Sequence, residues 1–509
     1  MLLLALAVLL TLLAYQYSTR NFKYWEQRGV KHDKPLPLFG NAYAKFLQKI
    51  SLSDMYTEAY RKYPDERYVG LYLANDPKLV LRDPELIKHV LVTDFLHFHP
   101  RGLLPAKSVV EPMLRNLFFA DGDLWKLLRQ RLTPAFTSGK LKGMFPLIVE
   151  RAEKLQKIAA AAAETGAEVD VRDLMARYTT DFIGACGFGI DTDSLNDENS
   201  TFRRLGKRSF TRTGRDGFVA MLKFVAPTVF KNLHFLVPEI EEYTMSLVRS
   251  IFVQRNYQPC GRNDFIDLLL EMKQKGKLVG ESLEKKNSDG SSEKIEMELD
   301  EVLMAAQVLV FFAAGFETSS SATSYTLHQL AFHPEAQRKC QQEIDHVLSR
   351  YDNKLCYDAV KEMKYLEMCF REGMRLYPSL GFLARRCVST YTLPGSAVTI
   401  DAGVGVIVPI HALQTDPKYF EQPEQFRPER FGVAGDIANH VYLPFGEGPR
   451  ACIGERLGLM QSLAGLAALL RGFSVAPGRS TRRSPRTDPS STVTQIIEGG
   501  LPLALLARK

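Results

Sequence analysis

The chain has 509 residues, of which 45% are hydrophobic and 24% are charged, the range of an ordinary globular protein. This composition excludes a disordered or collagen-like chain, and the mean hydropathy of -0.14 excludes a protein with many membrane spans. The net charge of +7 is too small and dispersed to indicate nucleic-acid binding, but it suits an anionic membrane surface or an acidic partner. The 7 cysteines are odd in number and contain no C-x-x-C pair, which argues against a disulfide framework and favours a reducing compartment.

The first predicted element is an N-terminal membrane anchor over residues 1–19. These residues carry no charge, and as a helix they would span about 28 Å, close to the ~30 Å core of a bilayer. A cleaved signal peptide is the alternative, but no basic residue precedes the apolar block and no small-x-small site follows it. The charges that follow the block are all positive up to Glu26, and such flanks tend to stay in the cytoplasm. We therefore expect an anchor at 1–19, a basic and proline-rich hinge at 20–41 and one large domain at 42–509.

Helical patterns dominate the body. Helices are predicted at residues 141–163, 264–275, 300–333 and 334–349. Short strands are predicted at residues 67–73, 78–81 and 404–409, and residues 282–298 are predicted to be a solvated loop because they are rich in Lys, Glu, Ser, Asp and Gly. The fold class is therefore mainly α with a small β portion. The chain has no G-x-G-x-x-G, P-loop or G-x-S-x-G motif, so a redox activity would need electrons from another protein.

The most informative segment is residues 445–454, FGEGPRACIG. A lone cysteine is most often a buried, inert thiol, but here Gly446 and Gly448 allow tight turns beside Cys452 and leave room for a large planar group. Backbone N–H groups and the start of a following helix would favour a thiolate. Arg450 adds a positive charge that could pair with an acidic substituent on such a group.

This segment matches the F-x-x-G-x-R-x-C-x-G haem signature, so the chain resembles the cytochrome P450 superfamily. The resemblance implies the cytochrome P450 fold and haem b as the cofactor, with Cys452 as the axial ligand of the haem iron. It also implies that Phe445 packs near the sulfur, that Gly448 belongs to the haem loop and that Arg450 contacts a haem propionate. The sequences at residues 122–142 and 370–378 look most like insect microsomal enzymes of the sixth family, which metabolise xenobiotics.

The long predicted helix at residues 300–333 contains AGFETS at residues 314–319. Gly315 costs about 1 kcal/mol relative to alanine within a helix, and the Thr318 hydroxyl can bond to the carbonyl of Ala314. Read alone, this is a slightly kinked core helix with a satisfied threonine. The segment resembles the family's oxygen-activation motif A-G-x-(D/E)-T, which implies that Glu317 and Thr318 are catalytic and deliver protons.

Further family motifs suggest residues that hold the cofactor. Glu372 and Arg375 match the E-x-x-R element, and Arg430 lies in the matching P-E-R-F segment, which implies a structural network behind the haem loop. Read alone, Glu372 and Arg375 are a common surface pair. Trp125 and Arg129 match the W-x-x-x-R helix and would face a propionate. Arg385 matches another arginine that contacts a propionate, although an ordinary exposed arginine is the alternative there.

The resemblance implies a membrane-anchored monooxygenase that inserts one oxygen atom from O₂ into lipophilic xenobiotics, such as plant allelochemicals or insecticides. NADPH-cytochrome P450 reductase would supply electrons, with cytochrome b5 as a candidate second partner, at the cytoplasmic face of the endoplasmic reticulum membrane. The expected pocket residues are Phe119, Phe311, Ala314, Leu380, Phe382 and Val493. The chain has Ser379 where the family usually has a second proline, which weakens substrate inferences from relatives. A haem-thiolate isomerase or dehydratase and a haem sensor or carrier remain alternatives, although Thr318 argues against the isomerase.

Overall fold

Long helices carry most of the chain in this structure, a computed structural model. It describes all residues except 104–110, 191, 193, 198–201, 203, 205, 207, 209–213, 227, 263, 433–436, 492 and 509. The helices are α1 (Leu2–Thr19), α2 (Tyr43–Phe46), α3 (Leu52–Lys62), α4 (Pro84–Lys88), α5 (Gly122–Leu132), α6 (Ser138–Thr165), α7 (Val171–Ile183), α8 (Gly214–Val225), α9 (Pro238–Gln254), α10 (Phe265–Gln274), α11 (Glu301–Phe332), α12 (Pro334–Ser349), α13 (Tyr357–Glu362), α14 (Lys364–Leu376), α15 (Ile410–Gln414) and α16 (Glu455–Gly472).

The strands form small sheets beside the helices. They are β1 (Tyr68–Leu73), β2 (Asp76–Leu81), β3 (Glu168–Asp170), β4 (Leu278–Lys286), β5 (Ser292–Met297), β6 (Leu383–Arg386), β7 (Tyr391–Thr392), β8 (Thr399–Ile400), β9 (Gly405–Val408), β10 (Phe473–Pro477) and β11 (Pro502–Ala507). One sheet has the order β1-β2-β9-β6 and another has the order β10-β11-β3. The strands β4 and β5 pair with each other, as do β7 and β8. The fold is mainly α with a small β portion, as the sequence predicts.

The helix α11 runs through the core. Its N-terminus is capped by Asp300, whose carboxylate accepts a hydrogen bond from the backbone N–H of Leu303 at 2.6 Å, and it ends before Pro334, which disfavours helix in the preceding residue. It is long and apolar enough to span a membrane, but 61% of its most apolar window is buried. A side chain at Gly315 would lie 2.3 Å from the Ile183 Cδ1 atom. Gly315 therefore lets α11 approach α7 closely.

The predicted helices and strands are confirmed to within a few residues, but the predicted loop at 282–298 is wrong. This segment belongs to the antiparallel hairpin of β4 and β5. The carboxylate of Asp123 on α5 accepts hydrogen bonds from the Ser282 hydroxyl at 2.7 Å and from the Leu283 backbone N–H at 2.6 Å. This anchor lies about 160 residues away in sequence, so the local composition carries no sign of it.

The N-terminal helix α1 is exposed up to Gln16, and only its last turn, with the buried Ser18, is covered by the body. In contrast, the predicted hinge at residues 20–41 packs on the body. The Trp25 side chain is fully buried, and its indole N–H donates to the backbone carbonyl of Leu71 at 3.2 Å. Gly70 lies directly against the Trp25 ring. The segment is thus ordered against β1, and the proposed boundary at residue 41 stays a prediction.

Candidate active site

Cys452 lies in a tight loop just before α16. Its backbone N–H donates to the Phe445 carbonyl at 2.8 Å, and Gly446 and Gly448 adopt φ values of +70° and +72°, which glycine adopts without strain. The Cys452 side chain is exposed, although burial by the surrounding protein raises the pKa of its thiol. A hydrogen bond from the backbone of Gly454 acts in the opposite direction and lowers this pKa. The thiol is therefore accessible, and the Gly454 hydrogen bond only partly offsets the effect of burial on its pKa.

Gly448 also lies against a neighbouring stretch of backbone. A Cβ atom at Gly448 would lie 2.0 Å from the backbone oxygen of Leu91, which is far closer than van der Waals contact. The nearest neighbours of a Cβ atom at Gly446 would be Leu383 and Ala451, at ordinary distances of 3.8 to 3.9 Å. The missing side chain at Gly448 thus makes room for the backbone after α4, and its place in the haem loop stays a prediction.

Arg450 is almost completely buried beside the cysteine loop. Its guanidinium donates to the backbone carbonyls of His99 and Ala120, both at 2.8 Å, and to a carboxylate oxygen of Asp121 at 3.1 Å. It lies over the Trp125 ring, 4.3 Å from the ring centroid. Burial lowers the pKa of Arg450 to about 9. The predicted neighbours Arg450 and Trp125 are thus brought together, and Asp121 is a partner that the sequence motifs did not indicate.

Three more arginines surround this position. Arg129 donates to the carbonyl of Ala451 at 2.9 Å, and Arg101 donates to the carbonyl of Arg450 at 3.3 Å. Arg385 is 2% exposed. Its pKa is lowered well below the usual value, mainly by burial and further by the charges of Arg101 and Arg450. The Arg385 Nε atom is buried and has no hydrogen-bond partner among the residues that the structure describes.

This cationic cluster fits the acidic substituents of a haem. Several buried positive charges share one carboxylate, that of Asp121, and buried charges are stable only when they are paired. An anionic group beside Arg385 would supply the missing acceptor and offset the mutual repulsion. Together with the accessible Cys452 thiol, the residues present therefore fit a haem. Arg101 was missed by the sequence analysis because no motif marks it, although it follows Pro100 and precedes Gly102.

On α11, Thr318 and Glu317 face different surroundings. The Thr318 hydroxyl donates to the Ala314 carbonyl at 2.7 Å, and Ala314 is exposed, so these two residues lie on an accessible stretch of the helix. The Glu317 carboxylate is buried and forms an ion pair with Arg172 of α7, and it also accepts a hydrogen bond from Ser321 at 3.3 Å. The structure therefore does not bring the two proposed proton donors onto one face.

A fully buried ion pair lies behind the cysteine loop. Glu372 contacts Arg375 at 2.7 Å and Arg430 at 3.0 Å. Arg375 also donates to the backbone carbonyl of Gln414 at 2.8 Å, and the Gln414 side chain accepts from the backbone N–H of Leu443 at 2.9 Å. Leu443 lies two residues before Phe445 in the cysteine loop. The predicted trio thus forms one network, and the unpredicted Gln414 connects it to the loop.

An apolar cavity of about 410 Å³ lies between the first sheet and α8. It is lined by three of the expected pocket residues, Phe119, Phe382 and Val493, and by Arg385. Phe382 is held by an edge-to-face contact with Tyr56 at 4.9 Å between ring centroids. These residues fit a lipophilic ligand beside the cationic cluster.

The other three expected pocket residues do not line this cavity. Phe311 packs against the rings of Phe136 and Phe265, with ring centroids 5.2 and 4.0 Å away. Leu380 forms an isolated bridge with Thr494. Ala314 is exposed on α11, which is not part of the cavity lining. Helical spacing alone placed Phe311 with Thr318, whereas aromatic partners from other segments enclose its ring.

Comparison with known proteins identifies close similarity along nearly the whole chain. The family model for cytochrome P450 matches residues 31–501. Cytochrome P450 6a2 of Drosophila melanogaster is 38% identical over 500 residues, covering 96% of each chain. Cytochrome P450 6B2 of Helicoverpa armigera is 36% identical over 499 residues, covering 97% of this chain and 96% of the relative. Cytochrome P450 6k1 of Blattella germanica is 36% identical over 512 residues, covering 99% and 97%.

Proposed function

We propose that the substrates of this protein are lipophilic xenobiotics, and the premise is its family. The chain belongs to the cytochrome P450 family and is a haem monooxygenase with insect relatives in the sixth family. Plant allelochemicals and insecticides are the expected compounds. NADPH-cytochrome P450 reductase would supply the electrons, with cytochrome b5 as a second donor. The observation that carries this proposal is the accessible thiol of Cys452 beside a buried cationic cluster and an apolar cavity.

Cys452 would ligate the haem iron, and Arg101, Arg129, Arg385 and Arg450 would hold the haem propionates. When bound, the haem supplies the activation of O₂ and the transfer of one oxygen atom to the substrate. The Gly454 backbone N–H would donate to the sulfur, which partly offsets the rise in its pKa caused by burial. Phe445 would pack beside the sulfur.

Thr318 and Glu317 are the proposed proton donors. The Thr318 hydroxyl would hold a water molecule on the accessible face of α11 and pass a proton from it. The Glu317 carboxylate would take part only after leaving Arg172, because the two are paired within the core. Glu317 would therefore move protons between the core and the Thr318 face by changing its side-chain conformation.

The exposed apolar helix α1 would anchor the protein in the endoplasmic reticulum membrane with the catalytic body in the cytoplasm. Deleting residues 1–19 should release much of the protein from microsomes and leave haem binding intact. The measurement is the haem content of the membrane and supernatant fractions. A truncated protein without haem would contradict a division between anchor and catalytic domain.

The activity test combines the purified chain with reductase, NADPH and a panel of lipophilic compounds, and it measures product, NADPH and O₂ consumption. Cys452→Ser should abolish turnover and the characteristic absorption band of the reduced carbonyl complex, whereas Cys260→Ser, at another exposed cysteine, should change neither. Conversion of an organic hydroperoxide without reductase would favour the isomerase alternative. Haem binding with no turnover of any compound would favour a sensor or carrier.

A further inference from the structure

An arginine-rich loop follows β10 near the C-terminus. Residues 478–488 contain four arginines and one acidic residue, Asp488. Most of the loop is exposed, including Arg482, Arg483, Ser484 and Arg486. These four residues lie outside the described lining of the cavity, so the proposed substrate site does not account for them. Charge alone indicates no more than a solvated loop, and the more specific feature is the serine at its centre.

Ser484 lies in an open stretch of this loop between two fixed points. On one side, the Arg482 carbonyl accepts a hydrogen bond from the His328 ring at 2.8 Å. On the other side, the Arg486 carbonyl accepts one from the backbone N–H of Glu498 at 2.9 Å. Between these points the backbone forms no hydrogen bond with the part of the chain that the structure describes, and neither does the Ser484 hydroxyl. The serine is therefore accessible together with the backbone on both sides of it.

Ser484 precedes a proline, and the sequence contains one other dipeptide of this kind. A serine or threonine comes directly before proline at two positions, Ser484-Pro485 and Thr133-Pro134. Thr133 is also exposed, but its backbone is helical, with φ of -52° and ψ of -40°. Its hydroxyl donates to the Arg129 carbonyl at 2.6 Å. Protein kinases bind their substrate segment in an extended conformation, which proline favours in the residue before it. The structure therefore favours Ser484 over Thr133 as a kinase substrate.

The arginines two residues before and after Ser484 are weakly engaged. Arg482 lies 3.7 Å from Glu498, and the two side chains are 61% and 56% exposed, so this ion pair contributes little to stability. Arg486 forms no ion pair with the residues that the structure describes. A phosphoserine carries a charge of about -1.5 to -2 at pH 7, and guanidinium groups bind phosphate through paired hydrogen bonds. A phosphate on Ser484 would therefore find two available guanidinium groups beside it.

We propose that Ser484 is a phosphorylation site for a proline-directed protein kinase and that Arg482 and Arg486 bind the phosphate. The γ-phosphoryl group of ATP is transferred to the Ser484 hydroxyl oxygen, its bond to ADP breaks, and the hydroxyl proton passes to a base of the kinase. The inference goes beyond the oxidation of xenobiotics. It shares with the proposed function only the cytoplasmic position of the body, where ATP and protein kinases occur.

The phosphate would lie beside a segment that reaches the cavity. Thr487, directly after Arg486, forms a bridge with Ile497. In the intervening segment, Ser490 and Val493 line the cavity. A phosphate that is bound by Arg486 would hold the base of this segment, so the backbone amides near Thr487 should exchange with solvent more slowly after phosphorylation.

The test incubates the haem-loaded full chain in phospholipid nanodiscs with ATP and an excess of an activated mitogen-activated protein kinase, and mass spectrometry of its peptides locates the phosphate. We expect modification of Ser484, with Thr133 modified at least about tenfold more slowly because its hydrogen bonds must break first. Ser484→Ala should remove the modification, whereas the matched variant Thr133→Ala should leave it unchanged. Equal rates at the two positions, or modification of Ser484 only after the chain is unfolded by heat, would overturn the inference.

Hydrogen exchange followed by mass spectrometry tests the two arginines. The peptide that contains Thr487 should exchange more slowly in the phosphorylated chain than in the unmodified chain. Arg482→Gln combined with Arg486→Gln, phosphorylated to the same extent, should lose this difference. Arg483→Gln is the matched control, because the Arg483 guanidinium lies over the Phe332 ring, 5.8 Å from its centroid, and it should keep the difference. Equal exchange in the phosphorylated and unmodified wild type would overturn the assignment of the arginines. None of these measurements depends on turnover, so they stand apart from the proposed function.

Discussion

The hydroxyl of Ser379 donates a hydrogen bond to the backbone carbonyl of Thr318, with the two oxygen atoms 3.0 Å apart. The Ser379 carbonyl in turn accepts from the backbone N–H of Gln495 at 2.9 Å. Ser379 thus connects the loop after α14 both to the accessible part of α11 and to the C-terminal loop. Proline, which the family resemblance implies at position 379, has no hydroxyl and could not make the bond to Thr318.

Removal of this hydroxyl should disturb Thr318 with little effect on the fold. Ser379→Ala should lower stability by about 0.5–1.5 kcal/mol, the usual contribution of one hydrogen bond, and should decrease the ratio of product formed to NADPH consumed. Ser379→Thr, which keeps a hydroxyl, should restore the ratio. An unchanged ratio in Ser379→Ala at equal haem content would show that this bond does not position Thr318.

Thr318→Ala should uncouple NADPH consumption from product formation more strongly than Ser379→Ala does. The hydroxyl that would orient water is lost, so reduced oxygen should escape as peroxide. Stability should change by less than about 1 kcal/mol, because alanine favours helix more than threonine does. The measurement is the product-to-NADPH ratio with peroxide assayed in parallel.

Thr323→Ala is the matched control for Thr318→Ala. The Thr323 hydroxyl also bonds to a carbonyl four residues earlier, that of Ser319 at 2.7 Å, but it is fully buried. Its substitution should leave coupling unchanged. If both variants behave like the wild type, Thr318 is a satisfied helix threonine without a role in proton delivery.

The sequence predicts well those features that depend on short segments. The helix α12 has the predicted bounds, Pro334–Ser349, because proline begins it and its apolar residues follow the helical period. The cysteine loop was found because its glycines and Cys452 lie within ten residues. In contrast, Arg101 and Gln414 act through partners that are distant in sequence. The close approach of Gly448 to the backbone of Leu91 was likewise not predicted, because only the fold brings the two segments together.

His411 should make the fold sensitive to acid. Burial lowers the pKa of His411 to about 4, against about 6.5 in an unfolded chain. Between these values the unfolded chain binds a proton that the folded chain does not bind, so stability falls as the pH falls. The loss should reach about 1–3 kcal/mol near pH 4.

His411→Gln cannot bind this proton, so the difference in unfolding free energy between wild type and variant should shift in favour of the variant as the pH decreases from about 7 to about 4. Urea unfolding followed by circular dichroism at both pH values measures it. His346→Gln, at an exposed histidine, should show a much smaller shift. A difference between wild type and His411→Gln that is independent of pH would contradict the assignment.

Glu372 should be among the most sensitive positions for stability, because its carboxylate accepts from both Arg375 and Arg430 and from the backbone N–H of Arg427 at 2.8 Å. Glu372→Gln keeps the shape but leaves two largely buried guanidinium groups without a negative charge, which costs about 3–5 kcal/mol. The same change should loosen the link through Gln414 to the cysteine loop, so haem should dissociate more readily. The thermal unfolding midpoint and the ratio of haem to protein measure the two effects.

Glu367→Gln provides the matched control on the same helix. Glu367 pairs with Arg371 at 2.6 Å, but the side chain of Arg371 is 42% exposed, and pairs near the surface contribute only about 0–1 kcal/mol. Its substitution should therefore leave haem retention unchanged and lower the midpoint only slightly. Equal effects of Glu372→Gln and Glu367→Gln would mean that the buried network does not hold the cysteine loop, and haem retention would then depend on Cys452, the arginine cluster and the loop glycines.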